Sequence, residues 1–205
     1  MSSQSRSEAT SGSVRQVALE LFANQGYAAT GIRQIASAAG LSLSAMYHHF
    51  STKEELLLSI MRTTMTELEE EAARCVLANP DPADALGALV TSHVRMHAEQ
   101  PQACFVTDTE VRSLFGDARA AIIAQRDSYQ AVWVAVVEEG TASGQFHVAN
   151  PKIAVLGLLE MCTGPARWYR ADGPSSIEDI CTQFTDMSLR LLGAPLNTTH
   201  RKEHA

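Results

Sequence analysis

Residues 18–57 read ALELFANQGYAATGIRQIASAAGLSLSAMYHHFSTKEELL, and a few short breaks organise them. Before the first break, Val14, Val17, Ala18, Leu21 and Phe22 recur at three- and four-residue spacing, which predicts a helix stopped by Gly26. Thr30 is placed to cap a second helix through Ile32, Ile35 and Ala36, ending near Ala39-Gly40. Ser42 is placed to cap a third, very short one through Met46 to about His49. Ser51-Thr52-Lys53-Glu54 then fits the capping box S-x-x-E ahead of a long helix with Leu56, Leu57, Ile60, Met61, Met65 and Leu68. The small Ala39 and permissive Gly40 let the two short helices meet at a steep angle, the pattern of a helix-turn-helix. Ile32, Ile35, Ala36, Leu41 and Met46 supply its core, leaving Arg33, Ser42, Leu43, Ser44, Tyr47 and His48 outside. A helix of that kind fits a DNA major groove.

Outward from this stretch the chain continues in helical periods. No Asn-Gly or Asp-Gly hairpin signal and no sustained alternation occurs, so the fold class expected is all-α with about nine helices. Asn79-Pro80-Asp81-Pro82 breaks the chain before a fifth helix to about Ala98; a sixth covers about 102–114 and a seventh about 117–142. Asn150-Pro151 opens an eighth, which Ile153, Val155, Leu156, Leu158 and Leu159 nearly encircle. A ninth places Ile177, Ile180, Phe184, Met187, Leu191 and Leu192 on one stripe and ends at Gly193. The organisation expected is a disordered tail over 1–11, the helix-turn-helix over 12–53, a second helical domain over 54–194 and a flexible tail over 195–205.

Composition narrows the function. The 205 residues are 45% hydrophobic and 19% charged, enough for a packed core. The longest apolar runs, Ala131–Val137 and Ile153–Leu159, have seven residues, against roughly 20 for a membrane span. The polar start lacks a secretory h-region, and Cys75, Cys104, Cys162 and Cys181 lie far apart; both features suit a cytoplasmic protein with reduced thiols. The net charge of −7 conceals an asymmetry: residues 1–53 hold four basic and two acidic side chains, giving +2, and the rest carries −9. A basic head on an acidic body suits a DNA reader in which only the head meets phosphate. No Glu-x-x-His pair, H-E-x-x-H, P-loop or G-x-S-x-G elbow favours the rival reading, a small helical enzyme. The other rival is a helical scaffold without DNA binding.

Residues 18–57 resemble the amino-terminal region of TetR family regulators, with A-x-x-A-G-L-S followed by Y-x-H-F-x-T-K-E-x-L. The resemblance implies a repressor without enzymatic activity. By motif position it places Thr30 and Arg33 on the supporting helix, and Ser42, Leu43, Ser44, Tyr47 and His48 on or beside the recognition helix. His49 and Lys53 are then expected at phosphates. Many members have glycine where Ser44 stands. One head makes few contacts, so a symmetric homodimer on a palindromic operator is expected, with half-sites about 34 to 36 Å apart or a multiple of that. The eighth and ninth helices, through Leu156, Leu159, Phe184 and Leu191, offer the partner surface; an intramolecular core would use the same residues.

For the body the resemblance implies a cavity for a small, largely apolar effector. Met61, Met65, Leu89, His93, Met96, Phe105, Trp133 and Val137 are its candidate lining, though each fits a core equally well. Residues 166–193 are similar to the carboxyl-terminal region of family members that respond to acyl-CoA thioesters; Arg167 and Arg170 would then face phosphates, and Trp168 would stack or line the dimer interface. His93 and His97 share one helix face, but spacing fixes no third ligand, so neither a metal nor another cofactor is expected.

Overall fold

The computed structural model describes residues 3–194, with side chains described from Ala9 onward. Among the described residues there is no strand, and nine helices exceed a single turn: α1 (Ser3–Gln25), α2 (Ile32–Ala38), α3 (Leu43–His49), α4 (Lys53–Ala78), α5 (Pro82–Glu99), α6 (Pro101–Thr109), α7 (Gly116–Ala142), α8 (Pro151–Thr163) and α10 (Ile177–Leu191). A 3-10 turn (Val111–Ser113) and the four-residue α9 (Pro165–Trp168) complete the set. None of these helices is long and apolar enough to cross a membrane.

Several local expectations change. α1 begins at Ser3, so residues 3–11 extend the helix where a disordered tail was expected. Nothing in that polar run breaks a helix, and Ser11 Oγ lies 2.9 Å from His49 Nδ1. The tail expected over 195–205 lies outside the described residues. Thr30 does not cap α2: the cap is Gly31, with no side-chain bond, and the buried Thr30 hydroxyl donates to Gly26 O at 2.8 Å. The capping box of α4 is shifted by one residue. Thr52 Oγ1 accepts from Glu55 N at 3.0 Å and Glu55 accepts from Ser51 N at 2.8 Å, while Glu54 accepts from Phe115 N at 2.7 Å. Ser42 caps α3 as expected, accepting from Ala45 N at 3.1 Å.

Packing divides the chain into two compact units, residues up to 67 with 100–126, and 68–99 with 127 onward, a grouping unlike the expected boundary at 53/54. In the first unit, Val14, Ala18 and Phe22 of α1 bury with Ile35, Ala36, Met46, Leu56 and Leu57, together with Val106, Leu114 and Ile122. Gly40, at φ +68° between α2 and α3, takes a left-handed turn that a side chain would strain. In the second unit α5 packs along α10, with Thr91 Oγ1 3.3 Å from Thr185 Oγ1 and Arg95 3.3 Å from Glu178. A Cβ on Gly87 would sit 3.3 Å from Thr185 Cγ2, so the helices meet closely because residue 87 has no side chain.

The expected α10 stripe splits in two. Ile180, Cys181, Ser188 and Leu192 are buried, whereas Met187 and Leu191 are exposed. α8 divides likewise: Val155, Leu158 and Cys162 face inward and Ile153 and Leu156 outward.

Candidate nucleic-acid interface and sensing core

The helix-turn-helix stands on a dry base. Ile35, Ala36 and Met46 are buried, which fixes α3 against α2 and turns the opposite side of both helices to solvent. That side presents Arg33, Ser44, Tyr47 and His48, all exposed, with Ser42 at its edge and Leu43 half-buried. Beside it runs a shallow groove of about 370 Å³ lined by Thr30, Gly31, Ile32, Tyr47, Ser51, Thr52 and Lys53. Tyr47, 49% exposed, joins the recognition face to this groove. His49 is half-buried and bonded to Ser11. Of the other residues expected at DNA, Thr30 is buried as described, and Lys53 Nζ donates to Tyr27 O and Thr30 O at 2.8 Å each.

The second unit holds a buried polar cluster. His93 Nδ1 lies 2.8 Å from Tyr129 Oη and its Nε2 lies 3.4 Å from Thr163 Oγ1. Thr163 spends its hydrogen on Leu159 O at 2.7 Å, so His93 Nε2 donates to Thr163 and Nδ1 accepts from the tyrosine hydroxyl. His97 Nδ1 donates to His93 O at 2.8 Å, and the two imidazoles stack 4.0 Å apart. Trp133 meets His93 and Tyr129 edge-on; it is fully buried and its Nε1 has no hydrogen-bond partner among the described residues. Burial, and then the neighbouring His97, push the His93 pKa well below the usual 6.5.

That shift carries a pH dependence. A histidine that binds its proton less readily folded than unfolded contributes stability at pH above about 6.5, and loses it as pH falls. Between pH 7.5 and 5.5 the urea midpoint is expected to drop, with a slope below pH 6.5 approaching about 1.4 kcal/mol per pH unit. His93→Leu should remove that slope; an unchanged slope in the variant would place its origin in another group.

Two family models match. The one described as "Tetracyclin repressor-like, C-terminal domain" covers residues 79–192, and "Bacterial regulatory proteins, tetR family" covers residues 14–60. The chain belongs to the TetR family. Among its relatives, the HTH-type transcriptional repressor KstR2 of Rhodococcus jostii is 28% identical over 183 residues, covering 88% of this chain and 90% of that protein. A solved bacterial regulatory protein of the tetR family from Rhodococcus RHA1 superposes with a TM-score of 0.86 at 28% identity, over 91% of this chain and 98% of that one. AibR, solved with isovaleryl coenzyme A and operator DNA, superposes with a TM-score of 0.80 over 91% of this chain and all of its own; at 23% identity it speaks to the fold.

The expected effector lining of this TetR-family chain is not brought together within one unit. Met61 and Met65 are buried in the first unit, where Met61 belongs to the core under the helix-turn-helix and Phe105 is half-buried. Leu89, His93, Trp133 and Val137 are buried in the second, with Met96 half-buried. Arg167, Trp168 and Arg170 are exposed, Arg170 pairs with Asp172 at 3.2 Å, and Trp168 lies 6.2 Å from Phe184. Among the described residues no group of three or more His, Cys, Asp or Glu side chains is arranged to hold a metal, and both His93 ring nitrogens have partners. Sequence reasoning passed over Tyr129 and Thr163. The Tyr129–Trp133 spacing of four on α7, matching His93–His97 on α5, was the available signal.

Proposed function

We propose that this TetR-family protein is a repressor that binds a palindromic DNA operator as a homodimer and leaves it on binding a small, largely apolar effector. The observation that carries the DNA reading is the exposed row Arg33, Ser44, Tyr47 and His48 above the buried Ile35, Ala36 and Met46. Such a row has no packing role, and side chains on a groove-sized helix are what read base edges and hold phosphates. The dimer reading rests on Ile153, Leu156, Trp168, Met187 and Leu191 of the second unit. They are between 42% and 65% exposed, an apolar set that a lone subunit leaves wet. Phe184 and Leu159 are half-buried beside them on the same helices.

For the effector, the second unit offers a core that mixes Trp133, Tyr129 and two histidines with apolar side chains. An acyl-CoA is the class favoured by the likeness of residues 166–193 to acyl-CoA responders, with exposed Arg167 and Arg170 as its phosphate partners. A hundredfold release requires only about 2.7 kcal/mol of preference for the non-binding conformation.

The test is selection of duplexes from a random pool by the purified full-length chain. Recovery of a two-fold symmetric motif is expected, and recovery of no enriched duplex would overturn the reading. With the selected duplex, Tyr47→Ala is expected to weaken binding about tenfold at unchanged melting temperature. A panel of acyl-CoA thioesters that neither releases the duplex nor raises the melting temperature would remove the effector class.

A further inference from the structure

Residues 3–13 of α1 lie ahead of the stretch matched by the amino-terminal family model, which begins at residue 14. One side chain of this leading segment reaches the reading head. Ser11 Oγ lies 2.9 Å from Nδ1 of His49, thirty-eight residues on in the chain. His49 is the last residue of α3 and directly follows the exposed Tyr47 and His48.

Backbone and ring are held by different partners at this point. Met46 and Phe50 are buried on either side of His49, and Phe50 N donates to Met46 O at 3.0 Å, which fixes the end of the helix. The half-buried His49 ring still has two torsions to settle, and the bond to Ser11 settles them. A serine hydroxyl carries one hydrogen, and a neutral imidazole has one N–H and one bare nitrogen. The Ser11 hydroxyl makes no other hydrogen bond among the described residues, so its hydrogen goes to Nδ1 and the imidazole carries its own on Nε2. Nε2 has no protein partner among the described residues, which leaves an N–H donor at the end of α3. The opposite arrangement, with a neutral ring donating from Nδ1, would leave a lone pair on Nε2 that a phosphate oxygen repels.

Building on the operator-binding reading above, we propose that Ser11 is a positioning residue, whose hydroxyl fixes the ring and the hydrogen of His49 so that Nε2 donates to a phosphate of the operator. The amino-terminal extension of α1 thereby gains a part in DNA binding that acts through another side chain.

A double-mutant cycle isolates that indirect action. Full-length wild type, Ser11→Ala, Ser11→Thr, His49→Ala and the double alanine variant would be titrated with the selected duplex. Ser11→Ala is expected to weaken binding about threefold for each head, hence about tenfold for a dimer gripping both half-sites, at unchanged melting temperature. Ser11→Thr keeps the hydroxyl and should bind as wild type does. His49→Ala should cost at least as much as Ser11→Ala, and adding Ser11→Ala to it should cost nothing further. Nitrogen NMR of the DNA-free protein at about pH 8, above the ordinary imidazole value of about 6.5, should find the His49 hydrogen on Nε2 in wild type and in Ser11→Thr. Wild-type affinity in Ser11→Ala would overturn the proposal, as would a Ser11→Thr variant that binds like alanine or a His49 hydrogen found on Nδ1. A Ser11→Ala effect that persists in the His49→Ala background would also overturn it, by showing that Ser11 meets DNA on its own account. If His49→Ala does not fold, the two Ser11 variants and the spectrum decide. If the wild type binds no duplex, the operator reading fails and this proposal with it, whereas duplex binding that ignores Ser11 sinks this proposal alone.

Discussion

With Leu156 and Leu191 both replaced by glutamate, the chain is expected to stay folded, sediment as a single subunit at micromolar concentration and lose operator affinity at least about a hundredfold. Each leucine is roughly half exposed, 46% and 50%, so a carboxylate there costs the isolated subunit little. In a two-fold interface each residue occurs twice, and four carboxylates would be taken from water without partners. The affinity loss follows from geometry, since separated heads no longer hold two half-sites as one ligand. Sedimentation velocity and duplex binding on the same preparation check both halves. A double variant that still sediments as a dimer would move the interface away from α8 and α10.

Trp133 supplies the second large effect. Its indole is fully buried in the second unit beside His93 and Tyr129. Trp133→Ala leaves a void that surrounding helices close only in part, so a loss of about 3 to 5 kcal/mol is expected in urea unfolding. Trp133→Phe should cost far less, below about 1.5 kcal/mol. It keeps most of the ring and removes Nε1, a buried donor without a partner, whose desolvation opposes folding. The ordering is the check. If phenylalanine costs as much as alanine, the indole nitrogen contributes an interaction that the folded chain needs.

The helix-turn-helix was legible because its determinants are local. Periodic apolar positions, Ser42 at a cap and the permissive Gly40 at the turn between the short helices each act within a few residues, and the structure has all three. The start of α4 was ambiguous for a definite reason. Ser51…Glu54 and Thr52…Glu55 are overlapping capping boxes, and the choice falls to Thr52 and Glu55 because Glu54 is used by Phe115 N, sixty-one residues away. The bonds that Lys53 and Thr30 make were not legible on the same ground. Their partners, Tyr27 O and Gly26 O, are backbone atoms whose directions no side-chain pattern encodes. The α10 stripe was right in its residues and too coarse in its division, since packing against α5 and α8 separates Ile180 and Leu192 from Met187 and Leu191. The His93–Tyr129–Thr163 arrangement joins three helices and was beyond any local signal.

All four cysteines are buried and outside any disulfide, and desolvation pushes their thiols up, that of Cys162 to about 12. Thiolate is the species that alkylates, so a native subunit resists iodoacetamide until it opens. Cys104 belongs to the first compact unit and the other three to the second. Mass-resolved labelling therefore gives two clocks in one polypeptide: the rate at Cys104 times the breathing of the reading head, and the rate at Cys162 times that of the sensing body, with no engineered probe in either.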